Sequence, residues 1–168
     1  GARITDEQDE IRKIVEAVGI LIKQIPDAVI SVDTLRSSVA KAGLDAGASM
    51  VNDISAGEYD PHMMPTVAAY NVPYVMMHMK GLPENMQSDP QYKDVVLEIM
   101  SYFSRRIDTA LQHGIRDVVL DPGFGFGKTI SHNFEILKSF EAFRIWDKPL
   151  LAGISRKSMI WKTLGTDA

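Results

Sequence analysis

The run Leu120-Asp121-Pro122-Gly123-Phe124-Gly125-Phe126-Gly127-Lys128 constrains the fold more than any other stretch of this chain. The apolar segment Asp117 to Leu120 reads as a buried strand, closed by Asp121 and Pro122. Three glycines then alternate with two phenylalanines. A strand that ends in a carboxylate and opens into glycine turns is how an α/β protein brings backbone and a charge to a ligand. The design recurs. Val29 to Val32 ends in Asp33, Ser49 to Val51 ends in Asn52 and Asp53, and Tyr74 to Met77 ends in His78. Leu150 to Ile154 ends in Ser155, Arg156 and Lys157. Five strands therefore each deliver a polar group at the same end.

Helical patterns separate these strands. Thr5 to Ile25 has apolar residues at helical spacing, Ile11, Ile14, Val15, Val18 and Leu21 or Ile22, with Thr5 as N-cap and Gln8 as its capping-box partner. Further helices are predicted over Ser37–Ala46, His62–Tyr70, Asp94–Gln112, His132–Phe143 and from Lys157 to Leu164. Gly81 to Tyr92 reads as a polar connection. The strands do not alternate polar with apolar residues, so they are buried on both faces and parallel, with crossover helices. Two α/β architectures compete: an open doubly wound sheet and part of a (β/α)8 barrel. Polar groups on every strand end favour the barrel, whose strands all feed one central site. A whole barrel takes about 250 residues. These 168 residues would form one partial, incomplete TIM-barrel domain over 1–168.

Composition narrows the function. Hydrophobic residues make up 45%, the proportion of an ordinary globular domain. Net charge is −4, and no basic run is present, which argues against nucleic acid as partner. Cysteine is absent, which excludes disulfides and thiolate metal sites and fits a cytoplasmic location. No apolar run approaches the roughly 18 residues of a membrane span.

Each candidate group has a plain role beside its chemical one. Gly127-Lys128-Thr129 ends like a phosphate-binding P-loop, but Pro122 occupies the position of the first glycine, so that reading fails. Asp33, Asn52 and Asp121 form a polar set suited to a donor-rich ligand, yet strand-end carboxylates also cap the next helix, as Asp53 could. Lys157 could form a Schiff base, clamp an anion or sit in solvent. His78 has no partner at metal-ligand spacing and reads as structural, while Met76, Met77 and Met79 read as core or pocket lining.

Taken together, these segments resemble the dihydropteroate synthases of folate biosynthesis. The likeness is carried by Ile30-Ser31-Val32-Asp33-Thr34, Val51-Asn52-Asp53-Ile54, Met77-His78-Met79, the Asp121–Lys128 run and Gly153-Ile154-Ser155-Arg156-Lys157-Ser158. Ser131-His132-Asn133 is also similar. The resemblance implies a TIM barrel, a cytoplasmic sulfonamide target and a homodimer as the complete protein. It implies condensation of 6-hydroxymethyl-7,8-dihydropterin pyrophosphate with p-aminobenzoate. It assigns pterin contacts to Asp33, Asn52, Ile54, Met77, Asp121 and Lys157, p-aminobenzoate contacts to Phe126 and Ser158, and catalysis to Asp33 and Lys157. The family's Mg2+ goes with an Asn-Val-Thr-Pro-Asp-Ser-Phe-Ser-like stretch that does not occur here, and its pyrophosphate-binding Arg-Val-His segment is also absent. Gly1-Ala2 matches the end of the family's second loop. The chain is thus expected to correspond to strands three to seven and to be inactive alone. Three other readings compete: the pterin domain of a methyltetrahydrofolate–corrinoid methyltransferase, a Schiff-base aldolase through Lys157, and a non-enzymatic binding fragment.

Overall fold

The computed structural model describes residues 6–81 and 90–167. Helix α1 (Glu7–Gln24) leads to β1 (Ser31–Asp33), α2 (Ser37–Asp45), β2 (Met50–Asp53), α3 (Met63–Tyr70), β3 (Tyr74–Met77), α4 (Val95–Gln112), β4 (Val118–Asp121) and α5 (Ile130–Lys138). A 3-10 helix over Phe140–Trp146 and α6 (Ser158–Leu164) follow. The four strands form one parallel sheet in the order β1-β2-β3-β4.

Strand register sorts the side chains into two faces. Asp33 pairs with Asn52, Asn52 with Val75, and Val75 with Val119, while Met77 pairs with Asp121. Side chains two apart share a face, so Asp33, Asn52, Met77 and Asp121 all stand on one side. The other side carries Val32, Val51, Tyr74, Met76, Val118 and Leu120, which join the helices in one continuous core. Helix α4 feeds that core at helical spacing through Val95, Ile99, Phe103, Ile107 and Ala110, all buried. Fully burying a side chain of this size stabilises by about 1.5–3 kcal/mol. Helix α4 starts at Asp94, whose carboxylate accepts from the Leu97 N–H at 2.9 Å, and the chain leaves it at Gly114 with φ +87°.

Four expectations change. The Thr5 cap lies outside the described residues, and Asp6 does the capping, accepting from the N–H groups of Gln8 and Asp9. On α1 only Val18 is fully buried; Ile14 and Ile22 pack beside it, while Val15 and Leu21 are exposed. The helix expected over His132–Phe143 starts earlier, at Ile130, and breaks at Ser139, after which the chain tightens into the 3-10 turn. The fifth strand is reduced to a single parallel bridge between Leu120 and Leu150. Leu120 N–H donates to Pro149 O and Leu151 N–H to Leu120 O, each at 2.9 Å. The next donor in that ladder would be residue 122, a proline, which has no N–H. The predicted Gly81–Tyr92 connection lies mostly outside the described residues. No described helix is long and apolar enough to cross a membrane.

Candidate functional site

Asp33 and Asn52 stand side by side as register partners at the ends of β1 and β2. The Asp33 carboxyl is exposed at the mouth but backed by protein, and this partial loss of water raises it above the usual carboxylate range. A hydrogen bond from Asn52 pulls it back, and the nearby Asp53 and Glu10 push the other way.

Asp121, at the end of β4, is buried. Its Oδ1 accepts from the Gly123 N–H at 2.8 Å, closing a tight Asx turn into the glycine loop. Its Oδ2 accepts nothing among the described residues. Gly153 lies alongside, and even a Cβ there would stop 3.9 Å from Oδ2, so that oxygen stays clear. Burial raises the Asp121 carboxyl; the Gly123 N–H and the charges of Lys128 and Lys157 oppose that rise.

Lys157 precedes α6, after Arg156 has taken a left-handed turn at φ +54°. Its Nζ lies 4.2 Å from the centre of the Phe126 ring, and its stem touches Gly125, where a Cβ would meet it at 3.3 Å. Burial lowers its amine below the ordinary lysine value, and Asp121 partly offsets this. The two opposite charges feel each other but form no direct ion pair, and Lys157 Nζ has no hydrogen-bond partner among the described residues. The Asp121 carboxylate and the half-buried Lys157 ammonium are thus close enough to act on each other electrostatically, with neither satisfied by the other.

The remaining expected residues lie on the same elements or next to them. Met77 is buried on the same sheet face as Asp121. Ile54 is half-buried one residue beyond β2. Ser158 opens α6, and its hydroxyl makes no hydrogen bond among the described residues. Among those residues no three His, Asp or Glu side chains converge as a metal would require.

Further groups support the site from beneath. In the sequence Lys128 is only the end of the glycine run. It is buried, and its Nζ donates to three carbonyls: His78 at 3.1 Å, Gly123 at 2.9 Å and Phe126 at 2.9 Å. Burial pushes its amine down to about 7. Asn133 is buried too; its Oδ1 accepts from the Gly125 N–H at 2.8 Å and its Nδ2 donates to Thr129 O at 2.7 Å. The i, i+4 spacing of Thr129 and Asn133 on a helix start was the available signal. Asp53 does not cap the next helix, whose N-cap is His62 without a side-chain hydrogen bond; it closes the turn after β2 instead. Its carboxylate accepts from Ser55, Gly57 and the Tyr74 hydroxyl, on the helix side of the sheet. His78 packs edge-on to Tyr102 at 4.9 Å with its Nδ1 buried and unpartnered, and burial with the Lys128 and Lys80 charges drives its ring down to about 2.

The model of the family described as "Pterin binding enzyme" matches residues 1–168, the whole chain. The chain belongs to that family. A dihydropteroate synthase from Synechocystis sp. is 36% identical over 166 residues, covering 98% of this chain and 57% of the relative. Among solved structures, the Yersinia pestis dihydropteroate synthase in a sulfonamide drug complex superposes with a TM-score of 0.94 at 36% identity, over 99% of this chain and 61% of that one. The Xanthomonas albilineans dihydropteroate synthase, solved with 4-aminobenzoic acid, gives a TM-score of 0.91 at 35% identity, over 100% of this chain and 59% of that one. This member of the family thus spans less than two thirds of the length of the relatives it matches. Its α/β fold is an incomplete (β/α)8 barrel, of which four parallel strands and a one-residue bridge are formed among the described residues.

Proposed function

We propose that this chain is the pterin-binding part of a dihydropteroate synthase, which joins 6-hydroxymethyl-7,8-dihydropterin pyrophosphate to p-aminobenzoate. The observation that carries the reading is an Asp121 carboxylate with one oxygen left open, electrostatically coupled to a Lys157 ammonium that makes no ion pair and rests on the Phe126 ring. The amino-pyrimidinone edge of a pterin is rich in N–H donors, and a buried carboxylate is acceptor-only. Asp121 receives that edge through Oδ2, held in orientation by Gly123 N–H. Asn52 supplies a neutral amide with both donors and an acceptor, and Met77 and Ile54 wall the ring. Lys157 donates to the ring from the opposite side.

In the reaction the bond between the pterin methylene carbon and the pyrophosphate oxygen breaks, the electron pair leaving with pyrophosphate. The amine of p-aminobenzoate forms the new carbon–nitrogen bond and then loses one proton. Positive charge grows on the pterin, where the Asp33 carboxylate opposes it. Fixed charges aimed at developing charge are a large source of rate enhancement. The Phe126 ring and Ser158 border the aminobenzoate. A homodimer, a cytoplasmic location and a family Mg2+ outside these residues belong to the same reading.

The test is incorporation of labelled p-aminobenzoate into pteroate by the complete protein. Pterin-dependent incorporation supports the reading. Methyl transfer from methyltetrahydrofolate to a corrinoid, with no incorporation, replaces it. Borohydride trapping of Lys157 by a carbonyl substrate would instead establish the aldolase.

A further inference from the structure

We propose that Lys128 is the positioning residue for the aromatic-amine side of the site, its buried amine gathering three carbonyls and so fixing where Phe126 stands. The role of Phe126 rests on the function proposed above; the clasp rests on geometry alone. Lys128 follows the glycine loop, yet its side chain turns back beneath it and is only 3% exposed. Its three acceptors come from three places: His78 just beyond β3, Gly123 at the loop's start and Phe126 at its tip. An ammonium has three N–H donors, and each finds one carbonyl. The acceptors are neutral, so the side chain acts as a clasp on backbone rather than as half of a salt bridge.

Other contacts hold the loop along its length, among them the Tyr92 hydroxyl, which donates to Gly127 O at 2.9 Å. The loop's two ends are pressed against neighbouring backbone at Gly123 and Gly127, where a Cβ would fall 2.1 Å from His78 O and 2.3 Å from Lys80 O. Between them, Gly125 N–H is held by Asn133, and Phe126 N–H donates to Gly123 O at 3.1 Å. The Phe126 carbonyl is fixed by Lys128, one bond from the carbon that carries its ring. Lys157 rests on that ring, so its ammonium is set at one remove. Leaving a buried polar group unsatisfied is costly, so loss of this amine would let the tip move rather than leave three carbonyls bare.

The experiment compares the complete protein with Lys128→Met and Lys128→Gln. In Lys128→Met, KM for p-aminobenzoate is expected to rise about tenfold or more while KM for the pterin pyrophosphate stays within about threefold. Amide exchange over residues 123–127 should quicken about tenfold against unchanged exchange in α4. Lys128→Gln, which keeps two donors, should fall between parent and Met, and it stands in if Lys128→Met does not fold. An aminobenzoate KM within about threefold of parent in a folded variant, or exchange that quickens equally everywhere, would overturn the proposal. A parent protein that makes no pteroate would instead defeat the function reading, and the exchange arm would still decide whether Lys128 holds the loop.

Discussion

The Lys157 ammonium sits 4.2 Å from the centre of the Phe126 ring, so a cation and an aromatic face form one wall of the site. Such a contact is worth about 0.5–2 kcal/mol, more as water is excluded. Lys157→Ala is expected to lower kcat strongly without unfolding, and Phe126→Ala to raise the KM of p-aminobenzoate about tenfold. The double variant should lose less than the two losses summed, because the residues share one contact. Strict additivity in kcat/KM would show that they act separately. Lys157→Arg should restore turnover only in part, since a planar fork does not replace a compact ammonium.

On the proposed function Asp121 anchors the pterin, and Asp121→Asn keeps its shape while exchanging an acceptor-only group for an amide. Calorimetry with a pterin ligand is expected to show a loss of about 1.5–3 kcal/mol. An unchanged affinity would remove Asp121 from the pterin site.

The same carboxylate sets an acid limit on binding. Burial raises the Asp121 carboxyl above the usual carboxylate range. The donor-rich ligand binds the ionised form, so affinity should hold at neutral pH and fall as pH drops through the raised pKa. In Asp121→Asn that acid limb should disappear. A parent affinity that stays flat from about pH 7 to about pH 4 would contradict this.

Two buried bases give folding stability separate pH windows. The folded His78 ring is lowered from 6.5 to about 2, so the unfolded chain binds the extra proton between these values and stability rises with pH across them. The Lys128 amine is lowered from 10.5 to about 7, which predicts a second rise between those values. Each slope is at most about 1.4 kcal/mol per pH unit for one proton. Urea midpoints measured against pH should lose the acidic slope in His78→Phe and the alkaline slope in Lys128→Met. If both slopes persist in both variants, other groups carry them.

Assayed without the rest of a barrel, the 168-residue chain is expected to give less than about a tenth of the turnover of the complete protein, a barrier difference above about 1.4 kcal/mol. The far edge of β1 has no strand beside it among the described residues, and the Leu150 segment is joined by one bridge alone. Open edges of that kind favour association, which light scattering would detect. Comparable turnover from the isolated chain would show that the site is complete within it.

The strand ends were readable because a polar residue closing an apolar run is a local signal. Asp33, Asn52 and Asp121 share a face through strand register, a long-range property that the pattern of parallel strands made inferable. The Leu150 strand misled for a physical reason. Its apolar run is as good as the others, but whether it pairs depends on Pro122 in a different strand. Lys128 was hidden because a lysine after a loop gives no sign of which way its stem turns. Only the nearness of three carbonyls decides that, and these belong to residues as much as 50 positions away.

The close approach of Gly123 and Gly127 to the carbonyls of His78 and Lys80 limits how a site of this kind can diversify. Any side chain at either position would push the loop off the neighbouring segment, carrying Phe126 and its companion cation with it. Phe124 is buried in the core, so the ring the loop has free to exchange is the half-exposed Phe126. On the proposed function, preference among flat aromatic amines would be retuned by exchanging that one ring while the track beneath it stayed in place.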